Sequence, residues 1–177
     1  MTHIDDKVIE LARTALSFEY GEEHFYRHAA ELTRNPKGKA MFLRLAAEES
    51  SHMDDMHALF GTIIGQEEWQ RIAAEEVANA HPSRIVAEMQ AAVDQRGMIA
   101  VADDTQALRM AMELERRAIN LLTEMATHFS DPAVLELINK MKQEECAQYD
   151  ALQAQLDSLM NVGLWLDTPE FRMDGRF

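Results

Sequence analysis

Two short stretches of the sequence, AEESSHMD and QEECAQYD, place a glutamate three positions before a second polar side chain. In the first stretch Glu49 precedes His52, and in the second Glu145 precedes Gln148. Residues three apart on a helix lie one turn apart on the same face, so a carboxylate and an imidazole at this spacing can reach one metal ion. Gln148 offers a neutral amide oxygen, which is a poorer donor than imidazole for iron or zinc.

The two stretches belong to a longer internal repeat. Glu115 lies 96 positions after Glu19, and three further pairs share the same offset. The complete set is Glu19 with Glu115, Pro36 with Pro132, Glu49 with Glu145, and His52 with Gln148. Four matches at one offset, with a turn proline in register with the acids, indicate two copies of one helical hairpin.

The elements that must position these side chains are helices. The chain has only seven glycines and four prolines, and it shows no alternating strand pattern. Apolar positions at a three-or-four step predict four long helices, at 5–33, 36–64, 104–129 and 132–160. Asn35 and Asp131 stand directly before a proline, where each can cap the helix that follows. The fold class is therefore all-α.

In each predicted helix a carboxylate interrupts the apolar stripe at mid-length. An unpaired buried carboxylate is costly, and the stripes contain no lysine or arginine to pair with it. Four carboxylates that converge at one level can instead share divalent cations. Di-iron carboxylate bundles use one glutamate from each of two helices and a Glu-x-x-His pair from each of the other two. The predicted metal ligands are Glu19, Glu49, His52, Glu115, Glu145 and Gln148.

Three positions leave alternatives open. Gln148 can coordinate weakly through its amide oxygen, leave a position that water fills, or mark a half-site that has lost its metal. Glu22, three residues after Glu19, is either an extra carboxylate ligand moved to the other half-site or part of a solvated helix face, and the solvated face is favoured. Glu23 competes with Glu22 for the same ligand role. Tyr26 either donates a hydrogen bond to a ligand carboxylate or is an ordinary core aromatic. Cys146 is predicted to be a small buried packing residue rather than a redox group.

The two hairpins are joined by a segment of about forty residues, 65–103, in which 66–80 and 82–95 look helical. A link of this length predicts the crossover connection of a ferritin-like four-helix bundle. The predicted domain spans residues 1–160. The remaining segment, 161–177, has no helical period and is expected to pack on the bundle or on a neighbouring subunit.

The stretches FEYGEEHFYRHAAELT, FLRLAAEESSHMDDM, AMELERRAINLLTEMA and MKQEECAQYDAL together resemble the rubrerythrin branch of the ferritin-like superfamily. The resemblance covers roughly residues 5–160. It implies a bundle around two irons, with Glu19 and His52 as terminal ligands of one metal. Glu115 and Gln148 would serve the other metal, and Glu49 and Glu145 would bridge the two.

The chain departs from the family pattern at several points. Gln148 replaces a histidine, and Ala118 replaces the second glutamate of the Glu-x-x-Glu that peroxidase-type members carry on the third helix. Leu122 stands where an aromatic residue is often found. A rubredoxin domain needs four cysteines and the sequence has only Cys146, so electrons would come from a separate donor.

The resemblance predicts an oxidoreductase that reduces peroxide or handles oxygen, with no catalytic side chain beyond the metal ligands. Two iron ions are the expected cofactor, and zinc or manganese could substitute for them. The partners expected are the oxidant, an external electron donor and further copies of the chain, as a homodimer or larger. Two alternatives remain: an iron-sequestering protein with ferroxidase behaviour, and an interaction module whose second metal site has degenerated.

Charge and hydropathy exclude other classes of partner. The net charge of −14 disfavours nucleic acid and anionic membrane surfaces. No apolar run approaches the ~18 residues that a membrane-spanning helix needs. The start of the sequence, MTHIDDKVIE, lacks the basic and apolar regions of a secretory signal, so the expected location is the cytoplasm.

Overall fold

The computed structural model describes residues 6–79 and 104–162, together with Leu164 and Leu166. Within these residues the chain is helical and contains no strand. The helices are α1 (Asp6–Leu32), α2 (Pro36–Ile64), α3 (Gln66–Asn79), α4 (Asp104–Ala126) and α5 (Pro132–Val162). The all-α prediction is confirmed. None of these helices is long and apolar enough to cross a membrane.

Both hairpin turns are closed by the caps that the sequence predicts. The side chain of Asn35 accepts a hydrogen bond from the backbone N–H of Lys37 at 2.9 Å, and Pro36 begins α2. In the second hairpin Asp131 Oδ1 accepts from the N–H of Ala133 at 2.8 Å. A side-chain oxygen at this position satisfies an N–H that has no partner within the helix, which fixes where each helix begins.

Helix α1 packs along α2, and α4 packs along α5. The two hairpins meet through contacts of α1 with α4 and of α2 with α5, which completes a four-helix bundle. After α2, Gly65 adopts a φ of 99°, a left-handed conformation that glycine tolerates, and the chain turns directly into α3. Helix α3 lies against α1 and α2 through Trp69, whose indole N–H donates to His57 Nδ1 at 2.9 Å.

The bundle interior has two apolar cores with a polar layer between them. The Phe42 core includes Tyr26, Phe42, Leu108 and Leu152. The Trp69 core includes Leu16, Phe60, Trp69 and Met141. Along every long helix the chain passes from one core to the other, and the buried glutamates stand at the crossing point. The apolar layers on either side therefore isolate the carboxylates from solvent.

Some predicted boundaries and exposures differ from the structure. Helix α4 ends at Ala126 rather than near residue 129, because the amide and hydroxyl of Thr127 both bond to the carbonyl oxygen of Glu124 and form a turn. Cys146 is exposed rather than buried, because one step along α5 turns its side chain by about 100° from that of the buried Glu145. The predicted helix at 82–95 lies outside the described residues, as does most of the segment 161–177.

Two residues after α5 are described, and both contact the end of that helix. The backbone N–H of Leu166 donates to the side-chain oxygen of Gln155 at 3.0 Å. The carbonyl oxygen of Leu164 accepts from the hydroxyl of Ser158 at 2.7 Å. The chain therefore turns back along α5 immediately after the helix ends.

Candidate metal centre

All six predicted ligands are buried in the polar layer. The exposed fractions are 2% for Glu19, 0% for Glu49, 4% for His52, 0% for Glu115, 0% for Glu145 and 1% for Gln148. The apolar stripes explain this placement, because each helix turns its stripe inward and the carboxylate in the stripe turns with it. The structure thus brings residues from four helices to one level of the bundle.

His52 lies among more carboxylates than it can satisfy. Its Nδ1 is 3.0 Å from Glu49 Oε2, 3.0 Å from Glu145 Oε1 and 3.4 Å from Glu19 Oε2. One ring nitrogen carries at most one proton and donates to one of these oxygens at a time. A cation at this point would interact with all of them together.

Four of these side chains form a compact group, which we call the metal-ligand cluster: Glu19, Glu49, His52 and Glu145. Each offers one ligand atom, and these atoms lie within 4.8 Å of one another. An imidazole nitrogen with several carboxylate oxygens is a donor set suited to iron. The internal repeat had predicted these residues from two helical hairpins, and the folded chain places them together.

Glu115 extends the polar layer toward the Phe42 core. The hydroxyl of Tyr26 donates a hydrogen bond to Glu115 Oε1, and the ring of Tyr26 stacks on Phe42 at a centroid distance of 6.3 Å. Tyr26 is wholly buried, so its hydroxyl is committed to this carboxylate. Of its two interpretations, the structure supports the hydrogen bond to a site carboxylate.

The amide of Gln148 is oriented by a charged neighbour. Its Nε2 donates to Glu48 Oε2 at 3.1 Å across the α2–α5 contact. Its Oε1 is buried and has no hydrogen-bond partner among the described residues. Because the nitrogen is held by Glu48, the amide oxygen is the atom left for the site.

The repeat extends to the residues that support the site from outside. Glu144 lies 96 positions after Glu48, and its Oε2 is 3.7 Å from His52 Nε2. Each hairpin therefore places a carboxylate beside the polar side chain, His52 or Gln148, of the other hairpin. Such an outer carboxylate fixes the orientation of an imidazole whose other nitrogen binds metal.

Buried oxygens without a hydrogen-bond partner indicate whether the site suits a cation. Within the described residues, buried carboxylate oxygens of Glu19, Glu49, Glu115 and Glu145 have no hydrogen-bond partner. Buried polar groups are ordinarily paired, so this many unpaired oxygens at one level call for more positive charge than His52 supplies among the described residues. The donor set fits a metal centre.

The chain is also matched, over residues 10–156, by the family model for Rubrerythrin. The protein belongs to the rubrerythrin family. This confirms the resemblance, and it agrees with the observed helical bundle. The searches of curated proteins and of solved structures found no significant match.

The electrostatics of this rubrerythrin-family site follow from burial. Burial raises the pKa of Glu49 and Glu115 well above their usual range, and the negative charge of Glu145 adds to both shifts. Burial works against a charged His52, but hydrogen bonds with Glu145, Glu19 and Glu49 outweigh it and raise the His52 pKa above its ordinary value. The metal-free chain therefore holds protons in the site that a bound cation would displace.

The structure corrects the interpretation of Glu22 as part of a solvated helix face. Glu22 is 0% exposed and lies with the site carboxylates in the polar layer. The sequence did not decide this position, because Glu22 and Glu23 both stand three or four residues from Glu19 and from Tyr26 on α1. Its neighbour Glu23 bonds to Arg27 near the surface instead.

Proposed function

We propose that this rubrerythrin-family protein binds two iron ions and uses them to reduce hydrogen peroxide or to react with oxygen. The observation that carries the proposal is the metal-ligand cluster, which is buried in the bundle and surrounded by unpaired carboxylate oxygens. Bundles of this kind hold two metals between their helices.

In this proposal the six ligands divide by hairpin. Glu19 and His52 hold one metal, and Glu115 and Gln148 hold the other. Glu49 and Glu145, one from each hairpin, would serve both ions. The division is supported by the crowding of Glu49 and Glu145 around His52 and by the separate hydrogen bond from Tyr26 to Glu115.

Two bound irons would supply the change of oxidation state that peroxide reduction requires. The protein contributes a set of carboxylates that stabilise the cations, with Glu48 and Glu144 orienting Gln148 and His52. The Phe42 and Trp69 cores keep bulk water away from the layer. The 177 residues contain one cysteine, so they hold no four-cysteine iron site and the electrons come from a separate donor.

Anaerobic iron loading followed by peroxide tests the proposal. We expect two ferrous ions per chain, and rapid oxidation that consumes one peroxide for each pair of ferrous ions, followed in the visible spectrum. Glu145→Gln removes a bridging carboxylate and should reduce both iron content and oxidation. Glu136→Gln, an exposed change on the same helix, is the matched control and should behave as the wild type.

Other outcomes identify the alternatives. One iron or fewer, with slow or no oxidation, would contradict the proposal and favour a degenerate second site. Uptake of many irons per chain by a large oligomer would favour sequestration. The homodimeric or larger assembly and the cytoplasmic location stay predictions, which chromatographic size measurement and cell fractionation can check.

A further inference from the structure

Glu22 is a buried carboxylate of the polar layer that stands outside the metal-ligand cluster. Its side chain is 0% exposed, and both of its carboxylate oxygens lack a hydrogen-bond partner among the described residues. A carboxylate in this state is costly unless it is protonated or binds a cation. The metal-ligand cluster does not include it, so its burial needs a separate explanation.

The position of Glu22 along α1 shows which half of the site it faces. Glu19, one turn earlier, lies beside His52, and Tyr26, one turn later, reaches Glu115. Long side chains on a helix lean toward its N-terminus, so the Tyr26 hydroxyl lies over the turn that carries Glu22. This turn of α1 therefore lies beside Glu115, and the charges of Glu49 and Glu145 also act on Glu22 and raise its pKa, after the larger effect of burial. The negative charge of Glu22 in turn contributes to the raised pKa of both Glu115 and Tyr26.

The internal repeat makes this carboxylate unique to one hairpin. The position 96 residues after Glu22 is Ala118, which is also buried but carries no donor atom. The two halves of the site therefore differ in which donor atoms they carry. The His52 half has an imidazole and no extra carboxylate, whereas the Gln148 half has a neutral amide with a buried carboxylate beside it.

We propose that Glu22 is an additional ligand of the metal that Glu115 and Gln148 hold. The proposal rests on the dinuclear centre of the preceding section and adds to it. Glu22 supplies the strong donor that this half lacks because Gln148 stands in place of an imidazole. The donors of the second metal are then all oxygens, from Glu22, Glu115, Gln148 and the bridging glutamates.

This donor set selects for a class of ion. Carboxylate and carbonyl oxygens suit hard divalent cations such as manganese, whereas imidazole suits iron, zinc and copper. The centre would therefore offer one nitrogen-containing site and one all-oxygen site, and the all-oxygen site would hold a harder cation.

The test is an anaerobic calorimetric titration of the metal-free protein with ferrous iron. The wild type should show two binding steps. Gln148→His restores an imidazole and should raise the affinity of one step, which identifies that step with the Gln148 half. Glu22→Gln should lower the affinity of the same step by at least about tenfold, the lower end of the losses seen even for groups that support metal ligands.

Glu23→Gln is the matched control. Glu23 is adjacent to Glu22 but bonds to Arg27 and Ser50 near the surface, so both binding steps should be unchanged. In the double variant Glu22→Gln with Gln148→His, the new imidazole should recover part of the lost affinity, because both changes act on one metal.

The outcomes separate this proposal from the function on which it rests. If Glu22→Gln leaves both wild-type binding steps unaltered, the role of Glu22 is overturned. The same holds if Glu22→Gln weakens the step whose affinity Gln148→His does not raise. Either result leaves the dinuclear centre standing. A wild type that binds one ion or none would overturn the dinuclear centre itself.

A second measurement excludes a merely structural role. Without metal, Glu22→Gln replaces an unpaired carboxyl by a neutral amide of the same shape, so the thermal midpoint should rise or stay equal to that of the wild type. With ferrous iron, the gain in midpoint should be smaller than in the wild type. A fall in the metal-free midpoint would show that Glu22 stabilises the fold through another contact and would contradict the proposal.

Discussion

A buried carboxylate must be held in place as well as neutralised, and Tyr26 holds the carboxylate of Glu115 in place. Its ring packs in the Phe42 core, and its hydroxyl reaches the carboxylate from one side. The other oxygen, Oε2, has no hydrogen-bond partner among the described residues and faces the same layer as Gln148 and Glu22. The tyrosine therefore leaves one Glu115 oxygen available to a cation while it orients the other.

Removing this hydroxyl should weaken the metal centre without disrupting the core. Tyr26→Phe keeps the stacked ring and deletes only the donor to Glu115. We expect the affinity for ferrous iron to fall by about 10- to 100-fold, the usual effect of losing a group that orients a metal ligand. Anaerobic titration measures the change, and circular dichroism checks that the fold is retained.

Tyr20→Phe is the matched control, since Tyr20 lies on the same helix and is only partly buried. Equal iron affinities for the wild type and Tyr26→Phe would show that Glu115 does not depend on this hydrogen bond for its orientation.

The sequence predicted a site residue correctly where helical spacing allows only one candidate, and it failed where spacing allows more than one. Glu49 and His52 were predictable because a three-residue step places two donors on one face. Glu22 and Glu23 are adjacent acids, and composition cannot tell which one turns inward. Spacing does not decide it either, because both lie three or four residues from Glu19 and from Tyr26, so the folded structure was needed. The hydrogen bond from Gln148 to Glu48 needed the folded structure, because the two residues are 100 positions apart.

At the scale of helices, the caps decide where the ligands lie along the bundle. The start of α2 is fixed by Asn35, and Glu49 and His52 follow at a constant rise of about 1.5 Å per residue. Asp131 sets the start of α5 in the same way for Glu145. Equal spacing from cap to ligand in both hairpins is what brings the two bridging glutamates to the same level.

Loss of a cap should cost stability but leave the metal ligands in register. Asn35→Ala removes the acceptor for the N–H of Lys37, and we expect the free energy of unfolding to fall by about 1 kcal/mol. Urea denaturation of the metal-free protein measures this difference. Asn35→Gly is the control and should cost only a few tenths of a kcal/mol, roughly, because glycine is tolerated at a cap.

Iron affinity of Asn35→Ala should match that of the wild type, since the packing of α2 along α1 and α5 holds its register. A loss of stability below about 0.5 kcal/mol would show that water replaces the cap without cost.

Helix boundaries show the limit of pattern reading at this scale. The bounds of α2 were predictable to the residue because a proline and a glycine flank it. The end of α4 was not, because no proline or glycine marks it. Its last turn is ended by the side chain of Thr127, whose bond to the Glu124 carbonyl is a local contact that apolar periodicity does not encode.

The whole molecule is a duplicated hairpin whose two halves have diverged at the metal centre. The repeat at a constant offset made the bundle predictable, since two hairpins with matching apolar stripes must pack face to face to bury them. It also made the divergence visible, at Gln148 opposite His52 and at Ala118 opposite Glu22. The consequence that periodicity does not show is electrostatic, because five buried glutamates and one histidine share one layer.

The metal-free protein should therefore lose stability as the pH rises. Burial raises the pKa of Glu19, Glu49 and Glu115 above the ordinary value of 4.5, so the folded chain retains protons that the unfolded chain releases. The unfolded state then binds fewer protons, and stability falls with pH above that value. Raising the pKa of His52 above 6.5 acts in the same direction, because its contribution is complete below 6.5 and is lost at higher pH.

Surface carboxylates do not obscure this trend. Glu68, Glu75 and Glu113 have lowered pKa values because of hydrogen bonds with arginines, so their contribution is complete above 4.5 and is lost only in more acidic solution. Between about pH 5 and about pH 8 the buried site should set the slope, and the thermal midpoint of the chelator-treated protein should fall across this range.

Bound iron should counter this loss of stability. A metal requires deprotonated carboxylates, so its affinity rises with pH, and so does the stability that it adds. The difference in thermal midpoint between iron-loaded and metal-free protein, measured anaerobically, should therefore be smallest near pH 5 and largest near pH 8, roughly the range of the carboxyl titration. A metal-free midpoint that rises with pH, or an iron-induced gain that does not, would mean that the buried glutamates are ionised and compensated within the protein itself. The polar layer would then be a structural network, with no requirement for a cation.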